Sequence, residues 1–160
     1  MADDPHPLAL FKKPVPIDDD ERLWLSANFH DWAPVVQEHE LSVVIDLEQD
    51  LDRGIPDHPD SVIYVYFPIR DEGLPPLRRL HAVAQLGSDL LRQGERVLVH
   101  CEMGLNRSAL LAGLILVHSG ASGEAAFERL QVRRPGALFN LRFSEYLRRQ
   151  PRGGQLIDLD

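Results

Sequence analysis

Strands and helices alternate along the chain, and the alternation predicts an α/β fold: one domain, with a central, mostly parallel sheet flanked by helices. Three observations carry this expectation. Short β-branched runs, Val43-Val44-Ile45 and Val62-Ile63-Tyr64-Val65-Tyr66, are separated by stretches of helical periodicity. The run Val97-Leu98-Val99 leads into a lone cysteine and then into an almost wholly apolar helix. The length of 160 residues suits a single core of ordinary size.

The elements follow in order. Residues 1–20 hold Pro5, Pro7, Pro14 and Pro16 and run into the acidic stretch Asp18-Asp19-Asp20-Glu21. They are expected to form an extended N-terminal arm, partly draped on a domain spanning 21–160. Arg22 to Ser26 reads as a first strand, and Trp32 to Glu40 as a helix capped by Asp31. Ser42 to Leu47 is a buried strand, and Glu48 to Asp60, rich in Asp, Pro and Gly, is a loop. Val62 to Phe67 is a strand. Pro75 to Arg92 is a helix whose apolar set is Leu77, Leu80, Val83, Ala84, Leu86, Leu90 and Leu91, ended by Gly94. Arg96 to His100 is the central strand. The helix after Arg107, closed by Gly120, is apolar nearly all round and should be buried on most sides. Gly123 to Val132 and Asn140 to Gln150 are two amphipathic helices, with Pro135-Gly136 in the turn between them.

Composition narrows the function. A net charge of −8 argues against a nucleic-acid binder working by broad charge attraction. One cysteine excludes an intrachain disulfide and a Cys-rich zinc module. A free thiol points to a reducing compartment, the cytoplasm. The acidic start Met-Ala-Asp-Asp-Pro is no signal peptide. The longest apolar stretch, Ala109 to Val117, is about half a membrane span, so no membrane partner is expected. The histidines at 6, 30, 39, 58, 81 and 118 show no metal-ligand spacing, so neither a metal nor a cofactor is expected.

The chemistry concentrates in His100-Cys101-Glu102-Met103-Gly104-Leu105-Asn106-Arg107-Ser108. Cys101 sits where a strand ends and a helix begins. Backbone N–H groups can converge on an anion there, and the helix dipole favours negative charge. The same field holds a thiol as thiolate. Arg107 offers a planar fork matched to two phosphate oxygens. It also opens an apolar helix, where an unpaired charge is costly, and an oxyanion partner would resolve that conflict. Gly104 permits a positive φ or a close backbone approach, and Asn106 tolerates the left-handed region. Ser108 is either a polar residue at a helix start or a partner of the cysteine sulfur. Strand alternation points the side chains of His100 and Cys101 to opposite faces, against a protease-type Cys–His couple. Asp71, before Gly and Pro, reads from its own neighbours as a turn residue.

The motif resembles the His-Cys-x5-Arg-Ser/Thr signature of the cysteine-dependent protein tyrosine phosphatase superfamily. A second stretch, Phe67-Pro68-Ile69-Arg70-Asp71-Glu72-Gly73-Leu74-Pro75, resembles the general-acid loop of the dual-specificity phosphatase branch, with Asp71 at the aspartate position, 30 residues before Cys101. Low-molecular-weight phosphatases place the cysteine near the N-terminus and the acid near the C-terminus; here the acid comes first. The resemblance runs from about Arg22 to Arg149. It implies a dual-specificity-phosphatase-like fold and a metal-independent phosphate-monoester hydrolase acting through phosphocysteine. Cys101 would be the nucleophile, Arg107 the clamp, Asp71 the general acid, and Ser108 the group that eases thiolate departure. Glu102, Met103, Gly104, Leu105, Asn106 and Arg107 would bind the phosphate, and His100 would orient the loop. Glu72, Asp57 and Asp60 are the nearest rivals to Asp71. The implied partner is a phosphorylated substrate, a phosphoprotein carrying phosphotyrosine or phosphoserine/threonine. A phosphoinositide, sugar or RNA 5′-phosphate substrate stays open, as does a non-catalytic phosphate-binding module. Glu48 to Asp60, Arg70, Glu102, Met103 and Leu105 are expected at the mouth.

Overall fold

The structure, a computed structural model, describes residues 12–56 and 59–154. Residues 1–11 of the expected arm, Asp57 and His58 lie outside the described residues. Five strands form one sheet: β1 (Val15–Pro16), β2 (Leu23–Ser26), β3 (Val43–Asp46), β4 (Ile63–Tyr66) and β5 (Val97–His100), in the spatial order β1-β2-β5-β3-β4. The last four are parallel to their neighbours, and β1 runs antiparallel on the edge. The register sets Ser26, His100, Asp46 and Tyr66 in one row at the carboxyl ends. Strands β2, β3 and β5 are buried throughout. That is why they read as continuous apolar runs: a parallel sheet covered on both faces has no solvent side.

Strand alternation divides those residues between two cores. Leu23, Leu25, Val43, Ile45, Val97 and Val99 point into the larger one, and Trp24, Val44 and Leu98 into the smaller. The smaller core lies under α1 (Ala33–Glu38), which contributes Val35 and Val36 beside Trp32. Asp31 accepts the N–H of Ala33 at 3.1 Å, although Trp32 is the residue at the N-cap position. The larger core lies under α2 (Leu77–Arg92), α3 (Arg107–His118), α4 (Gly123–Arg133) and α5 (Leu141–Arg148). Helix α3 is its axis: nine of its twelve residues are buried, Leu110, Leu111, Leu114 and Ile115 completely. Each such side chain contributes about 1.5–3 kcal/mol of transfer free energy. Helix α2 starts at Leu77 rather than Pro75, because Pro76 occupies the N-cap. Leu86, expected in its apolar set, is 39% exposed, while His81 and Ser88 are buried instead.

The arm is partly sheet. Val15 and Pro16 pair with Leu25 and Trp24, and Ile17 is fully buried. Asp18 makes the turn by accepting the N–H groups of Arg22 and Leu23 at 2.9 and 2.8 Å. Asp19 pairs with Arg129 and Arg133 of α4.

Candidate active site

The central strand β5 delivers Cys101 to the carboxyl edge of the sheet, and α3 begins six residues later at Arg107. The loop between them is shaped by its carbonyls, which all find donors outside it. The Glu102 carbonyl accepts the N–H of Asn28 at 3.1 Å, and the Leu105 carbonyl accepts that of Leu138 at 2.7 Å. Arg134, itself buried, donates to the Gly104 and Met103 carbonyls at 3.0 and 2.9 Å. In a planar trans peptide the N–H points opposite to the C=O. With the carbonyls drawn outward, the N–H groups of Met103 to Asn106 turn inward. No N–H from Glu102 to Arg107 donates within the main-chain network of the described residues. No side chain caps α3 either. Such a ring of free donors at a helix start is an anion cradle.

Gly104 is essential to that path in two ways. Its φ is +66°, and a Cβ there would lie 2.5 Å from the Ser26 carbonyl carbon. Both the conformation and the approach to β2 require glycine. Asn106, by contrast, is not left-handed; its φ is −110°. Its side chain, and not its backbone tolerance, is what the loop uses.

Cys101 is 2% exposed, and its Sγ lies 3.1 Å from Ser108 Oγ. Of the two sequence readings of Ser108, the structure favours the sulfur partner. Arg107 is not the unpaired charge that the sequence implied. Its Nη2 donates to Glu48 Oε1 at 2.9 Å, and its Nη1 to the Ile69 carbonyl at 3.3 Å. Its Nε is buried with no partner. Glu48, from the loop after β3, therefore fixes the plane of the guanidinium, with Nε left unpartnered.

Asp71 reaches the same place. It lines a cavity of about 50 Å³ with Cys101, Glu102, Met103, Leu105, Asn106, Arg107 and Phe139. Asp71 Oδ2 accepts Asn106 Nδ2 at 3.0 Å, and Oδ1 accepts Asn140 Nδ2 at 3.1 Å. Of its rivals, Glu72 is outside the cavity lining, and Asp60 precedes β4, at the far end of the sheet. Arg70 borders separate depressions and does not line this cavity.

Beneath the loop, His100 is fully buried. Its Nε2 lies 2.6 Å from Asp52 Oδ2 and 3.6 Å from Asp46 Oδ1, and its ring packs on Trp32 at 4.3 Å. Asp46 also accepts the N–H of Glu48 at 2.8 Å and the Tyr64 hydroxyl. Burial raises the Asp46 carboxyl above its ordinary range, against the Tyr64 hydrogen bond and the nearby His100. Burial, and then the Asp46 hydrogen bond, raise the Tyr64 phenol. Asp46, Asp52 and His100 offer three ligand atoms within 4.8 Å, a grouping that sequence spacing did not reveal. A direct hydrogen bond already fills the space between His100 and Asp52 that a cation would take.

A strand-fed thiol inside a cradle of inward N–H groups, on a sheet of this order, defines a cysteine-based phosphatase. The chain belongs to the dual specificity phosphatase family, whose catalytic-domain model matches residues 23–151. Solved structures agree on the fold. A mouse putative dual specificity phosphatase complexed with zinc tungstate is 21% identical, with a TM-score of 0.70 over 84% of this chain and 83% of that one. Human DUSP28 is 22% identical, with a TM-score of 0.68 over 84% and 89%. PTPMT1 in complex with PI(5)P is 21% identical, with a TM-score of 0.71 over 84% and 92%. No curated protein sequence matches the chain significantly.

The structure brings Cys101, Arg107, Ser108 and Asp71 together, with Glu102, Met103, Leu105 and Asn106 around them. Glu48 and Asp52 belong to the loop expected at the mouth, but their contacts with Arg107 and His100 were not foreseen, and Arg134 and Asn140 escaped sequence reasoning as site residues. Arg134 and Asn140 carried no pattern of their own. The apolar opening of α3 signalled that Arg107 needs an anion, and Glu48 is one.

Proposed function

We propose that the protein hydrolyses phosphate monoesters in two steps through phosphocysteine at Cys101. The four outward carbonyls of Glu102 to Leu105 carry this reading, because they free the loop N–H groups for the three equatorial phosphoryl oxygens. Cys101 thiolate attacks phosphorus in line and forms the S–P bond as the P–O bond breaks. Asp71 gives its proton to the leaving oxygen. Arg107 binds an equatorial oxygen through Nε. In the second step Asp71 carboxylate takes a proton from water, which attacks phosphorus. The S–P electrons return to sulfur, stabilised by the Ser108 hydroxyl at 3.1 Å. His100, whose Nε2 meets Asp52 and Asp46 beneath the sheet edge, moves no proton. No step calls for a metal or cofactor.

The substrate we propose is a phosphoprotein bearing phosphotyrosine or phosphoserine/threonine. The small cavity supports this, with Phe139 and Met103, 63% and 58% exposed, as an apolar rim for a side chain entering from above. The compartment we propose is the cytoplasm, where the lone thiol stays reduced. No helix among the described residues is long and apolar enough to cross a membrane. The test is phosphate release in EDTA from phosphopeptides, phosphoinositides, sugar phosphates and RNA 5′-phosphates. Phosphopeptides should give the highest kcat/KM, and Cys101→Ser should abolish turnover. A phosphoinositide preference would overturn the protein-substrate reading alone. Wild-type turnover by Cys101→Ser would overturn the mechanism.

A further inference from the structure

We infer that Asn140 is a positioning residue for this reaction, a clip that holds Asp71 over the phosphate loop and fixes its carboxylate. The inference rests on Asp71 being the general acid. Asn140 joins three parts of the site at once. Its Nδ2 donates to Asp71 Oδ1 at 3.1 Å and to the Glu72 carbonyl at 3.3 Å. Its backbone N–H donates to Asn106 Oδ1 at 3.0 Å, and Asn106 Nδ2 donates to Asp71 Oδ2 at 3.0 Å. Its own Oδ1 caps α5, accepting the N–H groups of Arg142 and Phe143 at 3.1 and 3.4 Å. Each Asp71 oxygen thus receives one amide N–H, and both amides are tied to each other through the Asn140 backbone.

A helix cap alone does not explain this arrangement. Capping needs only a side-chain oxygen, which serine or aspartate supplies as well as asparagine. Holding Asp71 needs an N–H donor on the same short side chain, which only asparagine has. Both amide bonds favour the ionised carboxylate. That is the form Asp71 reaches when its proton passes to the leaving oxygen, and the form that then takes a proton from water. The clip therefore aids both steps.

Asn140→Ser and Asn140→Asp separate the two roles, because both keep a capping oxygen and lose the amide N–H; aspartate has no donor at all, and serine's one proton sits on the shorter side chain's capping oxygen itself. Measured on the full chain, kcat should fall roughly 10- to 100-fold, the loss of one hydrogen bond to a charged group. KM should change little. The loss should be larger for alkyl phosphates than for p-nitrophenyl phosphate. Melting temperatures should stay near wild type. Wild-type kcat for alkyl phosphates and for p-nitrophenyl phosphate in both variants would make Asn140 a helix cap only and overturn the inference. Asp71→Asn, measured alongside, isolates the underlying reading: wild-type kcat for alkyl phosphates there would remove Asp71 as the acid, whatever the Asn140 variants do.

Discussion

Arg107 spends its two terminal nitrogens on the protein and keeps Nε in reserve. A guanidinium held this way is pre-oriented, so little entropy is lost when an oxyanion arrives. Arg107→Lys should lower kcat/KM by at least about tenfold, since an ammonium cannot hold Glu48 and a phosphoryl oxygen in one plane. Glu48→Gln should raise KM by a smaller factor, because the amide oxygen still accepts from Nη2. Steady-state kinetics on p-nitrophenyl phosphate checks both, and a larger loss in Glu48→Gln than in Arg107→Lys would reverse the assignment. Asp71→Asn should cut kcat about 10²–10⁴-fold for alkyl phosphates and less for p-nitrophenyl phosphate, whose leaving group departs unprotonated. An equal loss for both substrates would contradict proton donation. At this scale the sequence revealed the residues fixed by spacing along one segment: Cys101, Arg107, Ser108 and, through its loop, Asp71. It set Glu48 in the loop at the mouth and Asn140 at a helix start, but it did not reveal their contacts with Arg107 and Asp71, which lie 59 and 69 residues away in the chain. A contact that depends on how loops meet in space leaves no local periodicity to read.

Elements were legible wherever one physical pattern dominated. Strands β2, β3 and β5 announced themselves as apolar runs because both sheet faces are covered. Helix α3 did so because it is apolar all round. Strand β1 was not legible, since Val15–Pro16 is only two residues long and proline fits an edge strand without forming a sequence pattern. Nor was the polar chain buried between α2, α3 and α5. There Tyr146 donates to His81 Nε2 at 2.6 Å, His81 Nδ1 donates to His118 Nε2 at 2.9 Å, and His118 Nδ1 donates to Gln85 Oε1 at 2.9 Å. With the Gln85 oxygen as the final acceptor, one neutral tautomer of each histidine satisfies every bond. Burial lowers both histidines, and His118 lowers His81 further. A histidine lowered in the folded state contributes stability that is complete above the unfolded value of about 6.5 and is lost as pH falls through the folded value. The melting temperature should therefore drop between pH 7.5 and 5.5, and His118→Gln should flatten that drop. A melting temperature independent of pH over this window in the wild type would refute the neutral pair.

Across the whole molecule a net charge of −8 coexists with a site that we propose binds dianions. The fold reconciles them by local means. Free N–H groups, a helix start and Arg107 converge on one small cavity, and the field there is set by groups a few ångströms away. Anion binding should accordingly depend little on ionic strength compared with a protein that attracts its ligand by overall charge. Everything in the architecture serves the placement of one thiol: the parallel sheet delivers Cys101, Arg134 draws the loop carbonyls away, and α3 points its N-terminus at the sulfur. The central claim is that this sulfur becomes covalently phosphorylated. The direct measurement is acid quench of the protein in pre-steady-state turnover of p-nitrophenyl phosphate, followed by mass spectrometry of the peptide spanning Val97 to Arg107. The prediction is a stoichiometric burst of nitrophenol with one phosphoryl group on Cys101, absent in Cys101→Ser. Turnover with no phosphoryl group on Cys101, and none lost on its replacement, would contradict it.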